Sequence, residues 1–349
     1  MTKRSAPGRV RRRVAGIKPF FALCLALLLL YLAGCSNGDP ANEEESSHKE
    51  GLVSGTTSSL VTSPPALEAD SEKSAEPPKT FGIIYPFAHP FYETITVLAQ
   101  EAAKPHNVQL IVKAPDEANI EQQIRMMDNM IRQKVDGIAL DPIDSDALRP
   151  IIDKAAAAGI PVVCFESDSP ESKRLSYIGT NNYEAGIQMG KTINDQLNGI
   201  GMVLVETGMS NMLSLSERLE GMLAYLNEMT SIQVLEVRYN EGSESAAVSG
   251  LEEMIDAHPH FDAFIALDFI SGSSSVLVWK AKGLKRPSFT FGMMPEIEKA
   301  IKNGQITSAV SQNEHEWGSR IVEGLLQANA GVTLPAYNDT GISIRTMAE

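Results

Sequence analysis

The sequence predicts an α/β protein made of two Rossmann-like lobes with parallel central sheets and a cleft between them. Three observations predict it. From residue 80 onward, short apolar runs alternate with segments of helical period, the signature of strand-helix-strand units. The alternation runs through two successive series, the second starting near residue 198. Polar and aromatic residues gather just past the carboxyl ends of the apolar runs, where open parallel sheets bind their ligands.

Phe81 to Tyr85 opens the first series as a strand, Pro86 to Pro90 follows as a loop, and a helix starts near Phe91 and runs through Glu93 to Lys104. Phe87, His89, Phe91 and Tyr92 fall within six positions, with no glycine run to cradle a phosphate, so this loop is expected to wall a small-molecule cleft. Val108 to Lys113 reads as a strand. Ile124, Met127, Met130 and Ile131 then give Ile120 to Gln133 an amphipathic helical period, with the methionines as core filling. Gly137 to Leu140 is a short buried-type strand. The acids after it, Asp141, Asp144 and Asp146, invite a calcium or catalytic reading, but Asp144 or Ser145 capping a helix over Ala147 to Ala158 is the simpler one. Gly159 to Phe165 is the next strand, and Glu166, Ser167 and Asp168 lie past its carboxyl end, facing the crevice. Cys164, inside that apolar strand, is expected to be a buried, inert thiol.

Strand Leu175 to Gly179 leads to a helix over Tyr183 to Leu197. Its Gly186, Gly190, Lys191 and Thr192 imitate a phosphate loop but lack the required four-residue gap between glycines. The second series reads as strand Met202 to Glu206, helix Ser216 to Met229, strand Gln233 to Tyr239 and helix Glu244 to Ala257. Strand Phe261 to Leu267, a loop over Asp268 to Ser275 and helix Val276 to Lys282 come next. Strand Ser288 to Phe291, helix Pro295 to Asn303, strand Ile306 to Val310, helix Trp317 to Ala328 and a last strand, Thr340 to Thr346, complete it.

The amino end is of another kind. Residues 1–35 hold seven cations and no acid, so the formal charge of −14 for the whole chain becomes −21 for residues 36–349. A body this acidic has no long-range attraction for nucleic acid or anionic lipid. The basic start, the apolar run Pro19 to Ala33 and Gly34-Cys35 have the three parts of an export signal, and the run is short of the ~20 residues that span a bilayer. Leu32-Ala33-Gly34-Cys35 resembles the bacterial lipobox, which implies cleavage before Cys35 and its lipidation. Residues 36–79 are rich in Ser, Thr, Glu, Pro and Ala and read as a disordered tether. With only Cys24, Cys35 and Cys164, no disulfide scaffold, paired-cysteine metal site or redox motif is available.

Seven stretches in order, HPFYETI (89–95), DPIDSDAL (141–148), AGIPVV (158–163), TNNYEAG (180–186), ERLEGM (217–222), AHPHFDAFIALD (257–268) and ITSAVSQNEHEWG (306–318), resemble the ribose- and galactose-type periplasmic binding proteins, the type 1 solute-binding fold. The resemblance implies two lobes joined by a three-strand hinge: residues 80–181 plus 313–340, and residues 182–312 plus 341–349. It also implies a ligand site at His89, Phe91, Tyr92, Glu166, Ser167, Ser216, Asp268 and Gln312. Two arginines usual in that family are replaced here: the Asp-Arg pair stands as Glu166-Ser167, and the position two before Arg218 is Ser216. Carboxylates without a cation would repel an anion, so a neutral sugar or polyol, or one bearing an amine, is expected.

The function this implies is capture of a sugar-like solute by an exported, lipid-anchored monomer, with no cofactor or metal, for delivery to an ABC permease. A membrane sensor kinase reading the closed form is the alternative partner. An enzyme would have to rely on Glu166, Asp268 or His315-Glu316, acting on a glycoside, since no nucleophile elbow or zinc helix is present. A gene repressor of this fold is disfavoured, because no helix-turn-helix precedes residue 80 and the chain carries an export signal.

Overall fold

A computed structural model describes residues 77–347, which lie within one compact unit. The expected signal, Cys35 and all but the last residues of the tether lie outside the described residues.

The first series folds as β1 (Lys79–Ile84), α1 (Pro90–Ala103), β2 (Val108–Lys113), α2 (Ile120–Gln133), β3 (Gly137–Leu140), α3 (Ser145–Ala157), β4 (Val162–Phe165) and β5 (Ser176–Gly179). The second folds as α4 (Asn182–Leu197), β6 (Ile200–Thr207), α5 (Leu213–Met229), β7 (Ser231–Tyr239), α6 (Glu244–Ala257), β8 (Ala263–Ala266), α7 (Phe269–Lys282), β9 (Ser288–Phe291), α8 (Pro295–Lys302) and β10 (Ser308–Ser311). Helix α9 (Trp317–Asn329) and the short strands β11 (Tyr337–Asp339) and β12 (Ser343–Thr346) follow.

Two six-stranded sheets result, in the orders β11-β5-β4-β3-β1-β2 and β12-β10-β9-β8-β6-β7. Both are parallel except that β12 runs antiparallel to β10. The shared order has a switch point beside its first strand, between β1 and β3 in one sheet and between β6 and β8 in the other. There the chain leaves neighbouring strands in opposite directions and opens a crevice at their carboxyl ends. Side chains of β1 divide between the two faces of the first sheet: Phe81 and Ile83 meet α1 and α9, and Ile84 meets α2 and α3.

The chain passes between the sheets three times: after β5, after β10 and between β11 and β12. Side chains tie the three crossings together. The Thr180 hydroxyl donates to Gly341 O at 2.6 Å, the Thr340 hydroxyl to Gln312 O at 2.8 Å and the Asn313 amide to Thr340 O at 2.7 Å.

Three element expectations are corrected. Helix α5 starts at Leu213 rather than Ser216. Helix α7 starts at Phe269 rather than Val276, because Asp268 caps it and the Ser-rich turn over 271–275 is buried instead of looping into solvent. The carboxyl-terminal strand is two strands, one in each sheet, with Gly341 at a φ of 75° between them. Polar, three-residue β11 carries no apolar alternation by which to be recognised.

Candidate functional site

The cleft lies between the carboxyl ends of the two sheets. Lobe 1 contributes Phe87 from the loop after β1, Tyr92 from the first turn of α1, and Glu166 from the end of β4. Lobe 2 contributes Met209 and Met212 after β6, Arg218 on α5, and Asp268 with Phe269 at the start of α7. Phe87 and Ile143 of lobe 1 pack with Met209, Met212, Leu215 and Ile270 of lobe 2 in one apolar cluster. The lobes are therefore shut on each other. The space left between the walls is about 20 Å³, room for a single water.

His89 caps α1: its Nδ1 accepts from Phe91 N at 3.1 Å, and Pro90 takes the first helical position. That bond leaves Nε2 as the proton-bearing nitrogen of the neutral ring, 3.5 Å from Glu244 of the opposite lobe. Burial lowers the His89 pKa, against the pull of Glu244, Glu296 and Glu93. Phe91 lies flat on Phe269, with ring centroids 4.4 Å apart and planes 11° apart, so the face expected to stack on a ligand is covered by the other lobe. Tyr92 stacks on Tyr85 at 4.5 Å and donates its hydroxyl to Asp141 Oδ2 at 3.3 Å.

Glu166 holds a left-handed backbone, φ 60°, uncommon for a residue with a side chain and a form of strain found at ligand sites. Its carboxylate takes Arg218 Nη2 at 2.6 Å and the Ser214 hydroxyl at 3.2 Å, both from the other lobe. Ser167 is buried, and its Oγ accepts from Ser214 N at 3.3 Å. Gln312 accepts from Arg218 Nη2 at 2.8 Å. Asp268 accepts from the amides of Ile270 and Ser271, from the Ser271 hydroxyl and from Asn240. Burial raises its pKa despite these donors.

Ser216 is a correction. It is exposed, with its hydroxyl on Leu213 O, and Ser214, in the added first turn of α5, meets Glu166 instead. The second correction is the missing cation. Arg218 stands in the cleft wall, fully buried, where two acids without a counterion were expected. It reaches there because α4 and α5 touch backbone to backbone: a Cβ on Gly186 would fall 2.1 Å from Arg218 O, and one on Gly221 2.0 Å from Tyr183 O. Gly186 of the false phosphate loop thus serves helix packing. A buried arginine on a helix beside such glycines was the available signal, and Phe269 could have been read from its place beside Asp268.

Other candidates lie apart from the cleft. His315 is exposed, and Glu316 pairs with Arg320. Cys164 is fully buried, and burial raises its thiol pKa. A recess of about 40 Å³ beside β5, α9 and β11 is larger, but its Arg320 is taken up by Glu316 and Asn338. Among the described residues no group of three or more metal-ligating side chains occurs, and no helix is long and apolar enough to cross a membrane.

A family model described as a periplasmic binding protein domain matches residues 81–331. This chain belongs to the periplasmic binding proteins. It is of the type 1, ribose-binding kind, and a binding protein rather than an enzyme. The ribose import binding protein of Bacillus subtilis is 22% identical over 74% of this chain and 85% of its own. The xylitol-binding protein of Mycolicibacterium smegmatis is 23% identical over 67% of this chain and 68% of its own. Among solved structures, an ABC transporter solute-binding protein from Burkholderia graminis in complex with D-arabinose superposes with a TM-score of 0.75 at 28% identity, covering 78% of this chain and 96% of that one. A chain from the XylFII-LytSN complex gives 0.73 at 22%, covering 78% and 98%, a likeness of fold.

Proposed function

We propose that this binding protein captures a sugar or sugar-like small molecule between two closing lobes and presents it to an ABC permease. The observation that carries the reading is the cleft itself. Rings of Phe87 and Tyr92 lie beside the carboxylates of Glu166 and Asp268, at the switch points of two facing sheets, with the amide of Gln312 bonded to Arg218. Ring faces suit the CH side of a sugar, and carboxylates and amides suit its hydroxyls. Relatives named for ribose, ribose and allose, xylitol and apiose support that ligand class.

The moving bodies are residues 80–181 plus 313–340 and residues 182–312 plus 341–349, pivoting on the three tied crossings. A sugar does not fit the shut cleft, so binding proceeds from an open form in which Phe269 has left Phe91 and Arg218 has left Glu166. His89, Phe91, Tyr92, Glu166, Ser167, Asp268 and Gln312 are the proposed contacts, with Arg218 in the role assigned by sequence to Ser216. Signal cleavage before Cys35 and its lipidation hold the monomer on the outer side of a membrane through the tether of residues 36–79.

A thermal-shift screen of pentoses, hexoses and polyols tests the ligand class, since a ligand that binds only the folded state raises the melting temperature. Stabilisation by sugar phosphates alone would overturn it. Cys35→Ala should move the protein from the membrane to the soluble fraction. The sensor-kinase alternative shares all of these contacts; neighbouring genes for permease and ATPase subunits would favour import, and genes for a kinase and its regulator would favour sensing.

A further inference from the structure

Most charged groups of the cleft have partners within the chain. Arg218 donates through Nε to Asn182, through Nη1 to Leu267 O, and through Nη2 to Glu166 and Gln312. In the shut form its nitrogens are spent on the protein, and its charge answers Glu166. Asp268 is satisfied by the amides and side chains of its own lobe.

Asp141 differs. It follows β3 at the switch point, beside Tyr92 and Glu166, both of which line the cleft. It is fully buried against the carboxyl of Glu166, with which it shares a hydrogen bond, and its other donors are the Tyr92 hydroxyl, by a long bond, and the backbone of Ser167. Its backbone N–H and carbonyl are already used by Ile84 O and by Gln123. Two buried carboxyls that share one proton cannot both be charged without a cation, so a cationic ligand is the natural replacement for that proton.

We infer that the ligand carries an ammonium group, bound between Asp141 and Glu166 and flanked by the ring of Tyr92. The inference rests on the solute-binding reading and narrows its ligand class to amino sugars and amino polyols. A hydroxyl would supply one donor and no charge. An ammonium supplies three donors and the counter-charge that Arg218 gives to Glu166 but not to Asp141. Aromatic rings beside a carboxylate are a favourable setting for a desolvated cation. Glu241 and Glu244 near the mouth, and the acidity of the whole body, draw cations inward.

The proton balance follows from the neighbours of Asp141. Burial first, then the charge of Glu166 and a hydrogen bond with it, raise the Asp141 pKa, so the shut cleft holds a proton there. The other titratable groups around it are Tyr92 on α1, Tyr85 after β1 and Cys164 on β4, all raised by burial and neutral. Arg218 on α5 pairs with Glu166 in the shut form. Entry of a charged ammonium turns the Asp141 acid into a carboxylate, and its proton leaves to the buffer.

Isothermal titration of the full-length protein in two buffers of different ionisation enthalpy tests this. The probes are matched pairs: 2-amino-2-deoxyglucose with glucose, 2-amino-2-deoxygalactose with galactose, and 1-amino-1-deoxysorbitol with sorbitol. At least one amine should bind about tenfold or more tighter than its hydroxyl parent, with release of roughly one proton. Asp141→Asn, which can keep the bond from Tyr92, should bring the amine down to the affinity of its parent. Parents that bind as tightly as amines, or amine binding without proton release, would overturn the inference and leave the solute-binding reading standing. Failure of every amine and every parent, together with failure of the wider sugar screen, would overturn both. If Asp141→Asn does not fold, the wild-type titrations alone decide.

Discussion

Lobe 1 faces the cleft with rings and one acid, namely Phe87, Tyr92 and Glu166, while lobe 2 faces it with a cation, an acid, methionines and one projecting ring, namely Arg218, Asp268, Met209, Met212 and Phe269. The two sheets share a strand order, so the difference is not topological. It comes from the residues that follow each strand. Each wall leaves something for the other: Glu166 of lobe 1 takes Arg218 and Ser214 of lobe 2, and the ring of Phe269 covers Phe91. Closure completes pairs that neither lobe completes alone.

The largest effect should come from breaking the shared pair. Arg218→Ala leaves Glu166 buried without its cation and Asn182, Leu267 and Gln312 without their donor. Urea unfolding should show a loss of about 3–5 kcal/mol. Arg238→Ala, which breaks half-exposed pairs with Glu236 and Glu253, should cost under ~1 kcal/mol by the same measurement. Equal losses would mean that the interlobe pair is no different from a surface one.

Next in size are the two walls themselves. Tyr92→Ala and Asp268→Ala should each weaken ligand binding by about 1–3 kcal/mol, for lost stacking and lost hydrogen bonds, measured by calorimetry with the sugar that the thermal screen selects. If only the lobe 1 variant weakens binding, the ligand rests on one wall and the cleft is not shared.

Lobe 2 also buries an acid of its own. Glu206, at the end of β6, has Oε2 without a partner, and its pKa is pushed up to about 9 by burial and by the charge of Asp268. The folded chain therefore holds a proton that the unfolded chain loses near the ordinary carboxylate range. Between that range and about pH 9, the folded state binds more protons, so this group's contribution to stability falls as pH rises, by up to ~1.4 kcal/mol per pH unit. Glu206→Gln should flatten that slope in urea melts taken across the window. A slope unchanged by the substitution would place the effect elsewhere.

The smallest effect is expected at Ser216→Ala. An exposed hydroxyl bonded to its own helix should change affinity by less than ~0.5 kcal/mol. A tenfold loss would restore Ser216 to the site and count against Arg218 in that role.

Several site positions were readable before the fold was known. Tyr92, Glu166 and Asp268 follow apolar strands, and in a parallel sheet that position alone points a residue at the crevice. The start of α5 was not readable, since Met212 precedes the turn Leu213-Ser214-Leu215 without a side-chain cap to mark it. That turn decides whether Ser214 or Ser216 reaches Glu166.

The sequence by itself determined the alternation of strands and helices, the acidity of the body and the residues that follow each strand, because these depend on period, composition and order along the chain. Only the tertiary structure decided that Arg218 stands opposite Glu166, that Phe269 covers Phe91, and that Asp141 is buried against Glu166. Each depends on which groups meet across the cleft from positions far apart in the chain. Hydrogen bonds and burial are properties of such meetings, and local sequence does not encode them.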